Sequence, residues 1–145
     1  MRLERVLIVV HRRSNPDGSY PDFDIRQMEG PLRYTGLVEN IDVIYNNEHT
    51  PNCDQFLIDY CREKKPQIIL LCLQGVARDE TGGPTVEATR KITHQLNIPI
   101  VVFWFDTHSD EYAELLEKYC DAVTLNLIGG SDSSSHKPIK CSNYV

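Results

Sequence analysis

The sequence predicts a three-layer α/β domain built on a parallel five-stranded sheet. Five short apolar segments alternate along the 145-residue chain with four segments of helical period. Such alternation is typical of parallel sheets joined by right-handed helical crossovers. Two segments, residues 67–73 and 99–105, are apolar on both faces, as expected for central strands covered by helices. For one domain of this size we predict the Rossmann-like, flavodoxin-like strand order 2-1-3-4-5.

The first strand and first helix follow from short local patterns. Residues 6–10 are apolar throughout and predict the first strand. A helix is predicted over residues 24–35, and Gly36 is suited to the left-handed position that ends it. Gly30 and Pro31 interrupt this pattern, so we expect either a kink or a late start with Pro31 at the first helical position.

The second strand and second helix come next. Residues 41–45 alternate between apolar and polar, as an edge strand can. Asn52 is predicted to cap a helix that Pro66 ends. The apolar face of this helix is predicted to consist of Cys53, Phe56, Leu57, Tyr60 and Cys61.

The second half of the chain is predicted to add three strands and two helices. Residues 67–73 form the third strand, and Pro84 suits the first turn of the following helix. Residues 99–105 form the fourth strand, and Ser109 can cap the helix that precedes the fifth strand, residues 122–128. The stripe predicted for the helix after Pro84 is Val86, Thr89, Ile92, Thr93 and Leu96.

The closing helix expected after the fifth strand is missing from the sequence pattern. Residues 131–145 begin with a serine-rich segment and end in a stretch too short to cover a sheet face. We therefore predict a Rossmann-like domain over residues 1–130 and a linker-like tail over residues 131–145. One sheet face would then be left for a partner, or the chain would be a piece of a longer protein.

Composition excludes several classes of protein. The formal charge of −6 argues against binding to nucleic acid or to an anionic membrane surface. No apolar run reaches the length of a membrane span, and the first residues lack the pattern of a signal peptide. We therefore expect a cytoplasmic protein with no membrane span.

The five cysteines are interpreted as reduced thiols that serve as small core residues. Cys53 and Cys61 fall on the apolar stripe of the second predicted helix, and Cys72 lies within a predicted strand. No two cysteines form the closely spaced pair that a zinc site needs. The sequence thus predicts no metal site.

Other chemistries of this fold class would leave signatures that the sequence lacks. A phosphoacceptor receiver domain needs an acidic pair after the first strand, an aspartate ending the third and a lysine ending the fifth, because its phosphoryl chemistry requires a Mg²⁺ site. The residues at those positions are His11, Arg12, Leu73, Gln74, Ile128 and Gly129. Residues 12–16 do not match a flavin phosphate loop, and the nucleotide-binding and hydrolase motifs are absent. No cofactor is therefore predicted.

Polar side chains follow the predicted strands at the carboxyl edge of the sheet, where such domains bind ligands. Two arginines beside a strand can pair a phosphate or carboxylate, although they can equally be solvated or paired with acidic residues. A carboxylate near an imidazole can tune it for proton transfer, or can simply cap the next helix. The candidate ligand-binding residues are His11, Arg12, Arg13, Ser14, Asn15, Gln74, Asp106, Thr107 and His108. No catalytic residue is assigned.

The fourth-strand region resembles part of an enzyme family. Residues 98–106 read Ile, Pro, a hydrophobic run, Trp, Phe and Asp after a helix that ends at residues 93–97. Over residues 65–128 this resembles the amino-terminal domain of two-domain GT-B-type glycosyltransferases, most nearly the spore-maturation type. In that family the first domain helps to hold the acceptor, and the carboxyl-terminal domain, absent here, binds the nucleotide-sugar. Thr107 and His108 depart from the acidic pair expected after Asp106.

The resemblance implies the acceptor-side part of a glycosyltransferase that is catalytically incomplete alone. Its expected partners are a carboxyl-terminal nucleotide-sugar-binding domain or a second copy of the chain, with a small-molecule or glycan acceptor. The alternative is a stand-alone small-ligand-binding or regulatory module of flavodoxin-like fold, able to dimerise through its uncovered face. A hydrolase using Asp106 and His108 ranks below both, because no nucleophile is indicated.

Overall fold

A single parallel sheet organises the part of the chain that the computed structural model describes, which is residues 1–10, 23–49, 51–74, 84–105 and 117–128. The five strands there run in the order β2-β1-β3-β4-β5, and every neighbouring pair is parallel. The predicted flavodoxin-like order is confirmed. The strands are β1 Leu3–Val10, β2 Val38–Tyr45, β3 Ile68–Gln74, β4 Ile100–Phe105 and β5 Leu125–Ile128.

Helices connect the strands where the described residues allow them to be followed. They are α1 Phe23–Thr35, α2 Cys53–Lys64 and α3 Val86–Arg90. A 3₁₀ turn, Asn46–His49, follows β2, and a π-helical turn, Lys91–Gln95, extends α3. Residues 117–119 are helical and lead towards β5. No helix within these described ranges is long and apolar enough to cross a membrane.

The first helix ends as predicted but does not begin late. Gly36 has a φ of +65°, a backbone conformation that glycine adopts without strain. Pro31 lies inside α1, which already begins at Phe23, so of the two predicted alternatives the late start at Pro31 is wrong. Proline has no N–H group, and α1 therefore continues with one backbone hydrogen bond fewer.

Helix α2 is rotated relative to the stripe expected from the sequence. Its buried residues are Leu57, Ile58 and Cys61, whereas Phe56 is 39% exposed. Asn52 occupies the capping position without a side-chain hydrogen bond to the helix. The helix ends at Lys65, whose backbone is left-handed, directly before Pro66.

Helix α3 begins after Pro84, which was predicted to lie in its first turn. Thr85, not Pro84, marks its start, because the Thr85 hydroxyl accepts a hydrogen bond from the Ala88 amide at 3.2 Å. Thr89 and Ile92 of the predicted stripe are fully buried. The fifth strand begins at Leu125, and Ala122 and Val123 are buried in the turn before it.

Two apolar clusters lie on opposite faces of the sheet. Successive strand residues point to alternate faces, so β1 contributes Leu7 and Val9 to one cluster and Ile8 and Val10 to the other. Helices α2 and α3 cover the first face. Met28 and Leu32 of α1 cover part of the second. The five strand residues from Val6 to Val10 are at most 2% exposed, which is the burial expected of a central strand.

Several predictions fall outside the described residues. They include the helix cap at Ser109 and the linker-like tail over residues 131–145 with its missing closing helix. The domain boundary at residue 130 accordingly stays a prediction.

Candidate functional site

Gln74 is the predicted site residue whose backbone the structure describes. It ends β3 and is paired in register with Phe105, the last residue of β4. Both strand ends therefore lie at the carboxyl edge of the sheet, where the sequence placed the ligand-binding residues. The other eight candidates lie outside the described residues, and the ligand-binding edge stays a prediction for them: His11, Arg12, Arg13, Ser14, Asn15, Asp106, Thr107 and His108.

A side-chain link at the same edge was not predicted. Asp54 lies in the first turn of α2, and Thr85 caps α3, so both follow strands that end at the carboxyl edge. One Asp54 oxygen accepts from the Thr85 amide at 3.0 Å, and the other accepts from the Thr85 hydroxyl at 2.5 Å. The link joins the starts of two helices separated by 31 residues, and no periodic pattern signals it.

We expect Thr85→Val to destabilise the domain by about 1–2 kcal/mol, because the helix loses its cap and the Asp54 carboxylate loses a donor. The measurement is urea unfolding followed by circular dichroism. Thr85→Ser is the matched control, since it keeps the hydroxyl and should recover most of the difference. Equal losses in the two variants would contradict the role given to the hydroxyl.

A second polar cluster fixes the edge strand β2. The Asp42 carboxylate accepts hydrogen bonds from the Arg5 guanidinium and from the Tyr60 hydroxyl. Arg5 lies on β1, Asp42 on β2 and Tyr60 on α2, so one carboxylate ties three elements together. Arginine is fully protonated at neutral pH, and the hydrogen bonds to Asp42 are therefore charge-assisted.

These contacts shift the pKa values of Asp42 and Tyr60. Burial acts to raise the pKa of Asp42, but the hydrogen bonds from Tyr60 and Arg5 outweigh it and hold that pKa below its usual value. Burial, and then the hydrogen bond to the Asp42 carboxylate, raises the pKa of Tyr60. At neutral pH Asp42 is therefore ionised and Tyr60 protonated, and the carboxylate already accepts two hydrogen bonds. This arrangement holds β2 in place and is not suited to proton transfer.

A groove of about 470 Å³ runs beside this cluster, between β2 and the outer side of α2. At one end of it the rings of His49 and Phe56 are stacked with centroids 3.6 Å apart. Lys64 and Arg5 lie towards the other end, so the groove carries both charges and aromatic surface. In the described ranges no group of three or more His, Cys, Asp or Glu residues is placed to hold a metal ion.

We expect Asp42→Asn to lower stability at pH 7 by about 1 kcal/mol or less, because solvent screens this partly exposed cluster. The folded pKa of Asp42 is depressed, so its stabilisation is present above the unfolded pKa near 4 and is lost as pH falls through the folded pKa. Urea unfolding of both proteins across this range measures the effect. A difference that stays constant from pH 7 down to pH 2 would contradict the role given to the carboxylate.

Comparison with known proteins gives matches of structure only. No protein-family model matches the sequence, and no curated protein matches it. The fold is similar to the signal receiver domain of a modulated diguanylate cyclase from Desulfovibrio desulfuricans G20, with a TM-score of 0.50 and 15% identity over 97% of this chain and 86% of that one. It is also similar to a response regulator protein from Burkholderia multivorans, with a TM-score of 0.50 and 12% identity over 90% of this chain and 86% of that one. At such low identity these matches establish the flavodoxin-like fold alone.

These matches overturn the glycosyltransferase resemblance. These similar structures are a signal receiver domain and a response regulator protein, not glycosyltransferases, so the prediction of an acceptor-side GT-B domain is wrong. The pattern over residues 98–106 describes a buried strand: β4 lies between β3 and β5, and Val102 is fully buried. Any central strand of a parallel sheet produces a similar apolar run. The expected nucleotide-sugar-binding partner domain rested on that resemblance.

Proposed function

We propose that this chain is a regulatory module of receiver-like fold that does not accept a phosphoryl group at the end of β3. The observation that carries the proposal is the identity of the residue that ends β3. β3 ends at Gln74, at the carboxyl edge of a sheet with the 2-1-3-4-5 order, and neither Leu73 nor Gln74 is a carboxylate. Two similar structures are a signal receiver domain and a response regulator protein, which favours regulation over catalysis.

The chemistry of an acyl phosphate supports this reading. Such a phosphate forms when a carboxylate oxygen attacks phosphorus, and a neutral amide such as that of Gln74 is a far weaker nucleophile. The Mg²⁺ ion that this phosphoryl chemistry requires is held by carboxylate oxygens. The sequence has His11 and Arg12 where the acidic pair would stand, and their basic character disfavours a cation. We propose that the candidate ligand-binding residues at the carboxyl edge of the sheet form the surface that receives a signal, through a ligand or a protein contact. We also propose that the protein is cytoplasmic.

The phosphoryl part of the proposal is tested with acetyl phosphate and Mg²⁺, followed by intact-mass measurement. We expect no phosphoryl incorporation in this chain, and complete labelling of an aspartate-containing receiver domain treated in parallel. Gln74→Asp is the matched variant, and it should also stay unlabelled because the acidic pair is missing. A hydroxylamine-sensitive phosphoryl group on the unmodified chain would overturn the proposal.

The regulatory part is tested by photo-crosslinking in the cells that make the protein. A benzoylphenylalanine in place of Gln74 should give a discrete cross-linked product at the carboxyl edge. The same probe in place of Leu37, an exposed residue on β2's amino-terminal side, is the control and should not give that product. Turnover of a small molecule by the chain, without any discrete product from position 74, would contradict a regulatory role.

A further inference from the structure

The groove of about 470 Å³ between β2 and α2, here called the β2–α2 groove, has the size of a small-molecule site. Such sites commonly have volumes of about 300–1,000 Å³. Residues 42–45 of β2 form one wall of the groove. The other wall includes Phe56, Tyr60 and Lys64, which recur at every fourth position and therefore share one face of α2. The described residues that line the groove are not among those that the sequence selected as ligand-binding.

Contacts at the two ends of α2 define the two ends of the groove. At one end His49, in the turn that follows β2, stacks on Phe56 with ring centroids 3.6 Å apart. At the other end Lys64 comes shortly before Gln67, whose amide donates to the Arg5 carbonyl at 2.9 Å. Two helical turns separate Phe56 from Lys64, which corresponds to about 12 Å along the helix axis. The groove is therefore elongated, with an aromatic end and a basic end.

The aromatic end presents rings that are held in position. Phe56 is 39% exposed, and the plane of its ring lies within 9° of the His49 ring that stacks on it. One turn further along α2, the hydroxyl of Tyr60 donates a hydrogen bond to Asp42, which fixes the second ring. Two neighbouring rings of fixed orientation suit a flat apolar group, because such a group removes water from both of them when it binds.

The basic end carries more positive than negative charge. Arg5 is paired there with Asp42, and Lys64 adds a further positive charge. The Asp42 carboxylate already accepts from both Arg5 and Tyr60, so it is poorly placed to neutralise Lys64 as well. Lys64 forms an ion pair with Glu63 at 3.0 Å, but both side chains are exposed, and such pairs contribute little. The Lys64 ammonium can therefore exchange this partner for an anionic group in the groove.

The charged residues also favour one orientation of a ligand. Glu48 lines the groove beside His49, and its carboxylate makes the aromatic end the less favourable place for an anion. At the opposite end, Arg62 and Lys64 lie in the last turn of α2, where they offset the partial negative charge of the helix terminus. An anionic group is therefore expected at Lys64 and not at the aromatic end.

We propose that the β2–α2 groove binds a small aromatic anion, with its ring against Phe56 and Tyr60 and its carboxylate at Lys64. A ligand of this class matches both ends of the groove, whereas an aliphatic anion or a neutral arene matches only one. The inference goes beyond the proposed function, because it assigns a second site and a ligand class to the chain. The acetyl phosphate result and the cross-linking result at position 74 do not depend on it, so the two proposals fail separately.

The experiment is a titration of the full ¹⁵N-labelled chain with phenylhexanoate, followed by amide chemical shifts. Saturable shifts are expected for residues 42–45 and around Phe56 and Lys64, with half-saturation at about 1 mM or below. Hexanoate lacks the ring and should bind about tenfold or more weakly, since it buries far less apolar area. Phenylhexanol lacks the charge and should bind about threefold more weakly, the effect of a partly exposed ion pair.

Matched variants test the two ends of the groove separately. Lys64→Gln should weaken phenylhexanoate binding about threefold and leave phenylhexanol binding unchanged. Arg62→Gln removes the same charge from the same helical turn outside the groove, and it should leave both affinities unchanged. Phe56→Ala should weaken both aromatic probes about fivefold. Tyr34→Ala, at a tyrosine of α1 that is 94% exposed, is its control and should weaken neither.

The folding of each variant is checked by circular dichroism. If Phe56→Ala does not fold, Phe56→Leu takes its place, because it keeps an apolar side chain and removes only the ring. It should also weaken both aromatic probes.

Three outcomes would overturn the proposal. The first is an absence of saturable shifts along the groove at phenylhexanoate concentrations up to about 10 mM. The second is an equal loss of affinity in Lys64→Gln and Arg62→Gln, which would indicate general electrostatic attraction. The third is equal affinity for phenylhexanoate and phenylhexanol, which would mean that the basic end does not select an anion.

Discussion

Replacing Leu7 by alanine is expected to destabilise the domain by about 2–5 kcal/mol. Leu7 is 0% exposed and lies on β1, which is hydrogen-bonded to β2 on one side and β3 on the other. Its side chain belongs to the cluster under α2 and α3. Because both neighbouring strands are fixed by their backbone ladders, the cavity left by truncation cannot close easily. A loss of this size is a large fraction of the stability of an ordinary domain, about 5–15 kcal/mol.

Urea unfolding by circular dichroism and by tryptophan fluorescence measures this loss. The matched control is Leu37→Ala, the same substitution at a residue that is 55% exposed, and it should change stability by about 0.5 kcal/mol or less. Similar effects at the two positions would contradict the burial on which the account of the core depends. A change in the slope of the transition would instead indicate a change in the unfolded state.

The sheet could be predicted because its central strands are buried on both faces. Residues 6–10 of β1 and residues 68–73 of β3 are continuous apolar runs, and β2 alternates because it lies at the edge. Helical period located α1 and α2, and Gly36 marked the end of α1. The predicted ends of the strands were less accurate than their positions, because backbone pairing and not side-chain pattern decides where a strand begins. β1 begins at Leu3 because Leu3 pairs with Val38.

The polar contacts could not be predicted, because they join residues far apart in the sequence. Arg5 and Asp42 are 37 positions apart, and Asp54 and Thr85 are 31 apart. Neither pair follows a periodic pattern, since each depends on how two elements meet. Of these four residues, Thr85 alone has a local sequence signal, because threonine is a typical capping residue at the start of a helix. The candidate site was located only to an edge of the sheet, with Gln74 as its described member.

The mistaken family resemblance has a physical cause. A strand in the middle of a parallel sheet must be apolar on both faces whatever the protein does. The run from Ile100 to Phe105 therefore reports burial in β4 and says little about chemistry. The end of β3 is more informative about function, because Leu73 and Gln74 provide no carboxylate there. Fold and function have to be argued from different residues.

The thiol of Cys61 is expected to react with iodoacetamide at pH 8 about a thousandfold more slowly than a thiol in the unfolded chain. Burial raises the pKa of Cys61 to about 12, from an ordinary value of 9.0. The thiolate is the reactive form, and three pKa units reduce its population about a thousandfold. Cys61 is also only 1% exposed, on the side of α2 that faces the sheet, so the reagent has little access. Timed alkylation with mass spectrometry of the peptides measures the rate at each cysteine.

Cys53 is the internal control for this prediction, since it lies on the same helix and is only half-buried. Cys53 should be labelled before Cys61 in the native protein, and in guanidinium chloride the two should react alike. The raised pKa of Cys61 also makes the stability of the folded domain depend on pH. Because the folded pKa is raised, the unfolded chain loses its proton first, and stability falls as pH rises above about 9. Cys61→Ala should remove that part of the alkaline decline. Equal labelling of Cys53 and Cys61 in the native protein would mean that α2 opens far more readily than its packing against β1 and β3 indicates.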